Sequence, residues 1–153
     1  MSTSEDSLAE RVLRLEAERE ILATLHQYGH ALDDGRLEDF LDCFAEDGVW
    51  ESAPPRRFEG RAGLAALFED LAWMRLPPAR FRHLVVEPRV VLKGDRATCA
   101  SYFVSLRADP AGPQVFAFGR YEDEFFPSGD GRWRLRRRRA ESENRIAGGG
   151  GSR

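Results

Sequence analysis

Apolar residues recur every three or four positions in the first half of the chain, and this spacing predicts helices. The longest stretch begins after Ser7, which forms a capping-box pattern with Glu10, and continues to Gly35. Its apolar stripe consists of Leu8, Val12, Leu15, Leu22, Leu25, Gly29 and Leu32. A short second helix is predicted over residues 37–44, with a left-handed turn at Gly48. A third is predicted over residues 64–71 after Gly60.

From residue 81 the pattern changes to long runs that are typical of strands. Four strands are predicted at residues 81–92, 96–107, 114–126 and 132–140, after a short one at 49–52. The turns between the four are short, so these strands should pair antiparallel as a meander. Helices before strands predict an α+β domain, in which three helices pack in the concave face of a curved, mostly antiparallel sheet. A cone of this kind encloses an apolar pocket.

The composition fits one domain in 153 residues, expected over residues 7–144. Residues 1–6 are predicted to be disordered and residues 145–153 to be a flexible glycine-rich tail. No apolar run approaches the roughly 18 residues that span a bilayer, and the start does not resemble a signal peptide, so a cytoplasmic protein without membrane contact is expected. Cys43 and Cys99 are expected to be buried thiols.

The charge pattern argues against nucleic-acid binding. The net charge is -3, and the one basic run, residues 136–139, lies on a predicted strand where side chains alternate between faces. At most two of these arginines can therefore point into the cone.

Two carboxylates and one histidine are candidates for acid–base chemistry. Asp33 and Asp34 end the first helix, where the macrodipole disfavours negative charge and makes a carboxylate more basic. They can equally be a solvated helix end. His83 shares a strand face with Phe81 and Val85, so it is either a core residue with one hydrogen bond or an acid–base group held by a carboxylate.

Tyr28 lies on the same stripe near the helix end, as a pocket phenol or as an ordinary core aromatic. His26 and His30, with Asp33 or Asp34, have a spacing that would suit one metal ion. Histidines four apart on a helix commonly face solvent, however, so neither a metal nor a cofactor is predicted.

Several segments together resemble the SnoaL-like family of the nuclear transport factor 2-like superfamily. The likeness runs through residues 21–36, 44–50, 58–60, 82–83, 94–97, 119–124 and 130–135, and covers about residues 8–140. The resemblance implies a cone-shaped α+β barrel that assembles as dimers or trimers. Members include polyketide cyclases, dehydratases, a dehydrochlorinase, isomerase-like enzymes and proteins with no known activity.

The resemblance also implies a site. In the dehydratase and dehydrochlorinase branch, an aspartate that ends the first helix pairs with a histidine on the first long strand; Asp33 and His83 match these positions, and Asp34 is the adjacent alternative. Tyr28 resembles a tyrosine that one dehydratase places five residues before the aspartate. Arg138 resembles a substrate-contacting arginine. The further expected substrate contacts are Trp50, Tyr102 and Phe118.

The implied function is a cofactor-independent dehydratase, isomerase or cyclase that acts on a hydrophobic, ring-containing molecule such as a polyketide- or steroid-like substrate. The alternative is a non-catalytic module of the same fold that binds a small molecule or serves assembly. An Asp33–His83 hydrogen bond opening into the cavity would favour the enzyme. A cone filled by Trp73, Phe103 or Phe118 would favour the module.

Overall fold

A computed structural model describes residues 6–143, which form three helices and one six-stranded sheet. The helices are α1 (Leu8–Asp34), α2 (Leu37–Asp42) and α3 (Gly60–Asp70), followed by a 3-10 turn at Ala72–Met74. The strands are β1 (Phe44–Ser52), β2 (Arg56–Glu59), β3 (Phe81–Lys93), β4 (Arg96–Arg107), β5 (Gln114–Pro127) and β6 (Trp133–Ser142). The predicted α+β class is confirmed. The predicted tail, 145–153, lies outside the described residues, as does all but Asp6 of the predicted disordered start.

Both predicted ends of α1 are confirmed. The Ser7 hydroxyl accepts from the Glu10 N–H at 3.2 Å, and the Glu10 carboxylate accepts from the Ser7 N–H at 2.7 Å. Gly35 ends the helix in the left-handed region at φ 73°, where a glycine has no steric penalty. Only the second half of α1 is buried, however, and its first buried residue is Ile21. The predicted apolar stripe therefore does not face the core along its whole length.

The sheet order is β2-β1-β6-β5-β4-β3, with β1 parallel to β6 and all other neighbours antiparallel. The β3–β6 meander and the mostly antiparallel sheet are thus confirmed. β2 was not predicted, because four residues beside Pro54-Pro55 carry too little pattern to indicate a strand. The parallel pairing of β1 with β6 sets Trp50 opposite Arg138.

The predicted left-handed turn at Gly48 is wrong. α2 ends at Asp42 and β1 already begins at Phe44, so Gly48 lies within a strand. The register between β1 and β6 shifts between Phe44 and Val49, and a Cβ on Gly48 would lie 2.9 Å from the Ala45 carbonyl oxygen. Glycine is needed here for the close backbone approach of a bulge.

The core lies between the helices and the concave face of the sheet, and α1 packs against β3 and β6. Cys43 and Cys99 are buried free thiols, as predicted. None of the helices within residues 6–143 has an apolar stretch long enough to cross a bilayer.

Candidate active site

A cavity of about 220 Å³ lies inside the cone, between the C-terminal half of α1 and the sheet. Its wall is mostly apolar and includes a few polar side chains. The lining residues are Tyr28, Leu32, Trp50, Ser52, Ala53, Leu71, Met74, His83, Phe103, Ser105, Phe116, Ala117, Tyr121, Ala140 and Ser142. Because a cavity of about 150 Å³ accommodates benzene, this one has room for a molecule of one or two rings.

Asp33 holds His83 at two points. One carboxylate oxygen of Asp33 accepts from the His83 backbone N–H at 2.9 Å, and the other lies 2.6 Å from His83 Nδ1. Both side chains are more than nine-tenths buried. Since a carboxylate only accepts, Nδ1 carries the proton of this hydrogen bond, which leaves Nε2 as the nitrogen that can take up another proton.

The close contact between α1 and β3 depends on Gly29. This residue is buried in the helix one turn before Asp33, and a Cβ added to it would lie 3.2 Å from the His83 carbonyl oxygen. That distance is tighter than ordinary van der Waals contact. Glycine at this position therefore lets the helix approach the strand closely enough for the Asp33–His83 hydrogen bonds to form.

Asp33 itself does not line the cavity. It lines a surface groove between α1 and β3, whereas His83 lines both the groove and the cavity. α1 remains helical through Asp34, so Tyr28 and Asp33, five residues apart, point to different sides of the helix. Tyr28 therefore lines the cavity, whereas Asp33 lines only the groove.

The structure also separates the two candidate aspartates. Asp33 bonds to His83, whereas Asp34 is exposed and lies 4.0 Å from the Arg36 guanidinium. His26 and His30 are exposed on α1. Within residues 6–143, no three His, Cys, Asp or Glu side chains are grouped as a metal would require.

A second buried ion pair lies beside the cavity on the sheet. Arg138 of β6 donates from Nε and Nη2 to the two carboxylate oxygens of Asp123 of β5, both at 2.8 Å, and both side chains are fully buried. Burial alone would lower the pKa of Arg138, but the charge and hydrogen bonds of Asp123 outweigh it and raise the pKa. Arg138 therefore stays cationic.

The Arg138 guanidinium is sandwiched between two tyrosines of the cavity wall. Its central carbon lies 4.2 Å from the ring centroid of Tyr28 and 3.9 Å from that of Tyr121. Contacts of this kind are cation–π interactions, which are strongest when desolvated. The Arg138–Asp123 pair thus supports the tyrosines from behind, and the structure does not bring Arg138 itself to the cavity surface.

Two buried donors near the Tyr28 hydroxyl lack a partner of good geometry within the described part of the chain. They are the Trp50 indole N–H and Arg138 Nη1. Both lie near enough to Tyr28 to favour its ionised form, although burial outweighs them and raises the pKa of Tyr28. The phenol oxygen of Tyr28 therefore lies in an electropositive surrounding made by the Arg138 charge and these two donors.

Two expected substrate contacts are placed elsewhere. Tyr102 and Phe118 are about half exposed and line no part of the cavity. Side chains alternate along a strand, so the inward faces of β4 and β5 carry Phe103 and Tyr121 instead. Phe103 stacks on Tyr121 in the cavity wall, with 4.8 Å between the two ring centroids.

Trp73 lies outside the cavity as well. It is about half exposed and packs against Phe81 and Phe116, of which Phe116 lines the cavity. Neither Trp73 nor Phe118 fills the cone.

Asp123 and Tyr121 were not predicted as parts of the site. The signal was present, because strand alternation puts Asp123 on the same face as Tyr121 and Phe125. A carboxylate between two aromatics on an inward face requires a buried cation, and the arginine run of the next strand supplies it. Which arginine faces it depends on the strand register, which sets Asp123 opposite Arg138.

A family model described as a SnoaL-like domain matches residues 13–139. A protein of unknown function from Mycobacterium tuberculosis is 26% identical, with a TM-score of 0.78, over 94% of this chain and 79% of that one. A nuclear transport factor 2-like protein with a cystatin-like fold from Novosphingobium aromaticivorans is 24% identical, with a TM-score of 0.83, over 94% and 95% of the two chains.

ActVI-ORFA from Streptomyces coelicolor is 23% identical, with a TM-score of 0.73, over 84% of this chain and 98% of that one. No curated protein matches the sequence. The last two solved structures, both below 25% identity, support the fold alone.

Proposed function

Since this chain belongs to the SnoaL-like family, we propose that it is a cofactor-independent acid–base enzyme, a dehydratase, isomerase or cyclase, for a hydrophobic ring-containing molecule. The observation that carries the proposal is the buried Asp33–His83 pair, in which His83 lines the cavity. A charge-assisted pair that reaches a cavity through a titratable ring is a typical arrangement for a general base.

His83 is the proposed base. Nε2 takes a proton from a carbon beside a carbonyl group, and the positive charge that forms on the ring is stabilised by Asp33 through Nδ1. Because Asp33 also binds the His83 backbone N–H, the ring orientation is fixed before a substrate arrives. General acid–base catalysis by one such group is worth about 10²–10⁴ in rate.

Tyr28 is the proposed donor to the oxygen that gains negative charge. Its hydroxyl lies near the Trp50 indole N–H and Arg138 Nη1, two donors that lack a partner of good geometry. An enolate or carbonyl oxygen in the cavity would accept a hydrogen bond from the Tyr28 hydroxyl, and the two donors beside the phenol oxygen stabilise the negative charge that this hydrogen bond shifts onto it. Trp50 would contact the substrate directly, and Arg138 would act from behind Tyr28.

The cavity limits the size of the substrate. With about 220 Å³, it accepts a one- or two-ring compound more readily than a four-ring steroid, which would require the wall to open. The aromatic and aliphatic lining favours a planar, mostly apolar molecule with one carbonyl group.

The test uses 1-tetralone, a two-ring aromatic ketone, because exchange of its α-protons with D₂O reports proton abstraction even when no leaving group is present. Exchange is followed by NMR, and we expect the wild-type protein to accelerate it. In the His83→Ala and Asp33→Asn variants the exchange rate should fall by about 10²-fold or more. Cyclic β-hydroxyketones of similar size extend the test to elimination, read as enone absorbance.

His30→Ala is the matched control, because His30 is an exposed histidine on the same face of the groove. It should leave exchange unchanged. Exchange at the wild-type rate in a folded His83→Ala protein would contradict the proposal. Tight binding of 1-tetralone without any exchange would favour the non-catalytic binding module instead.

A further inference from the structure

Ser105 of β4 lies beside His83 in the cavity wall. The two residues are register partners across β3 and β4, and both line the cavity. Register partners on neighbouring strands point to the same face of a sheet, so Ser105 places a hydroxyl next to the imidazole. Ser105 is buried, with 2% of its surface exposed. The proposed base therefore has a hydroxyl neighbour that takes no part in the proposed proton transfer.

The backbone of His83 shows that this pair is closely spaced. Its N–H donates to the Asp33 carboxylate, and its carbonyl oxygen faces Gly29, so both backbone groups point toward α1 and away from β4. In an antiparallel pair that shares no backbone hydrogen bond, the two Cα atoms are only about 4.5 Å apart, and the side chains lie closer than in a hydrogen-bonded pair. A ligand that contacts the imidazole is thus also within reach of the Ser105 hydroxyl.

The Ser105 hydroxyl is only weakly engaged. Within residues 6–143 it donates to the Ala117 carbonyl oxygen at 3.4 Å. Hydrogen bonds between two oxygens are ordinarily about 2.5–3.0 Å long, so this one is easily exchanged for a ligand oxygen. The hydroxyl rotates about the Cβ–Oγ bond and can both donate and accept.

A bulge shapes the wall at this place. Ser105 pairs with Ala117, but Leu106 pairs with Val115, so Phe116 is an extra residue on β5. Neighbours on a regular strand face opposite sides of the sheet, whereas Phe116 and Ala117 both line the cavity. Bulges of this kind often lie next to active sites, where they redirect side chains.

We propose that Ser105 is a specificity-determining residue, which binds a second oxygen of the substrate beside the carbon that His83 deprotonates. The inference rests on the proposed function, because it concerns the substrate of the same site. Tyr28 serves the carbonyl oxygen on one neighbouring carbon, and Ser105 serves a hydroxyl on the other. The preferred ligand is therefore a ring that carries two oxygens in a 1,3 relation, rather than a simple ketone.

The hydroxyl bound in this way can leave as water. The C–H bond breaks as Nε2 of His83 takes the proton, and the electron pair forms an enolate. The carbon–carbon double bond of the enone then forms as the C–O bond breaks, and the proton on Nε2 passes to the departing oxygen. Ser105 donates to that oxygen and keeps it near Nε2, and the imidazole ends neutral as it began.

The first test measures binding with two ketones that differ only in this hydroxyl, cyclohexanone and 3-hydroxycyclohexanone. Their dissociation constants are obtained by NMR titration of the wild-type and Ser105→Ala proteins. The ratio of the two constants isolates the contribution of the hydroxyl. We expect this ratio to shift about tenfold against the hydroxyketone in Ser105→Ala, the effect of one lost hydrogen bond. Ser105→Thr keeps a hydroxyl and should restore most of the wild-type ratio.

Ser101→Ala is the matched control. Ser101 lies on the same buried face of β4, four residues before Ser105, but it does not line the cavity. Its hydroxyl has no hydrogen-bond partner within the described part of the chain, so the substitution breaks no such bond. The ratio should stay at the wild-type value. A wild-type ratio in a folded Ser105→Ala protein would overturn the proposal, including the case in which both ketones lose affinity equally.

The second test compares two reactions. Exchange of the α-protons of cyclohexanone in D₂O requires only the base, whereas loss of water from 3-hydroxycyclohexanone, followed as 2-cyclohexenone absorbance, also involves the hydroxyl. We expect Ser105→Ala to lower kcat/KM for water loss about tenfold more than it lowers exchange.

The two tests separate this inference from the proposed function. A binding preference that depends on Ser105, without exchange of either ketone, would support the role of Ser105 and contradict the proposed acid–base function. Exchange that depends on His83, with equal effects of Ser105→Ala on both ketones, would overturn this inference alone.

Discussion

Two buried carboxylates lie near the same cavity, each paired with a nitrogen side chain, and the two pairs differ in what that side chain can do. Asp33 pairs with His83, whose imidazole can accept or donate a proton, and the pair reaches both the cavity and a surface groove. Asp123 pairs with Arg138, which keeps its charge, and both side chains are fully buried. The first pair is therefore suited to moving a proton, and the second to supplying a constant field.

The difference also lies in how each pair is held. Asp33 accepts hydrogen bonds from both the backbone N–H and the ring of His83, so this one carboxylate orients the imidazole. Arg138 is held by two hydrogen bonds and two aromatic rings, which position the guanidinium against Tyr28. We expect damage to the first pair to reduce activity and damage to the second to reduce stability.

Arg138→Met should give the largest effect on stability. Removing the cation leaves the Asp123 carboxylate buried without a partner, and such losses lower the free energy of unfolding by about 3–5 kcal/mol. Denaturant unfolding would measure it. The double variant Arg138→Met with Asp123→Leu should recover much of the loss, since two apolar side chains leave no charge behind.

The other pair should respond less. In Asp33→Asn the amide oxygen can accept only one of the two hydrogen bonds that the carboxylate accepts from His83, so we expect a loss of about 1–2 kcal/mol. Arg136→Met, at a half-exposed neighbour of Arg138, should change stability by less than about 0.5 kcal/mol. Equal losses in the Arg138 and Asp33 variants would show that the two pairs do not differ as described.

The stability of the protein at alkaline pH tests the burial of Tyr28 and Tyr121, the two tyrosines that pack against Arg138. Burial raises the pKa of both Tyr28 and Tyr121 above the ordinary value of 10.0. The folded protein therefore keeps phenol protons that the unfolded chain releases, and stability should fall as the pH rises above 10. Unfolding free energies between about pH 9 and pH 11 should fall less steeply in the Tyr28→Phe, Tyr121→Phe double variant. Identical slopes would place the pH dependence elsewhere.

The sequence predicted the first pair better than the second. Asp33 and His83 lie at the end of a long helix and the start of a long strand, and the resemblance to one family placed both. The sequence did not decide whether Asp33 or Asp34 pairs with His83. Adjacent helical positions point about 100° apart, so the choice depends on how α1 is rotated against β3. Arg138 was matched by its spacing, but its buried partner Asp123 depends on the register between β5 and β6. This register shifts between Glu124 and Phe125, and the pattern of apolar residues along the two strands does not predict such an irregularity.

The sequence predicted the order of the long helices and strands, but it did not predict the short or irregular elements. Periodicity indicated α1 and the β3–β6 meander, where long runs carry a clear period. It missed the four residues of β2 and the bulge at Gly48, where pairing with a neighbouring strand decides the conformation. It also treated the apolar stripe of α1 as one buried face, because spacing alone does not show how much of a long helix the rest of the chain covers.

The smallest effect on ligand binding is expected from substitutions on the outer face of the sheet, and this comparison tests where the cavity wall lies. Tyr102→Ala and Phe118→Ala should leave the affinity for 1-tetralone, measured by calorimetry, within about 0.5 kcal/mol of wild type, because both side chains lie outside the wall. Phe103→Ala, one residue from Tyr102 but inside the wall, should weaken binding about tenfold through the lost aromatic contact. If the Tyr102 and Phe103 variants weakened binding equally, the ligand would occupy a place other than the cavity that Phe103 lines.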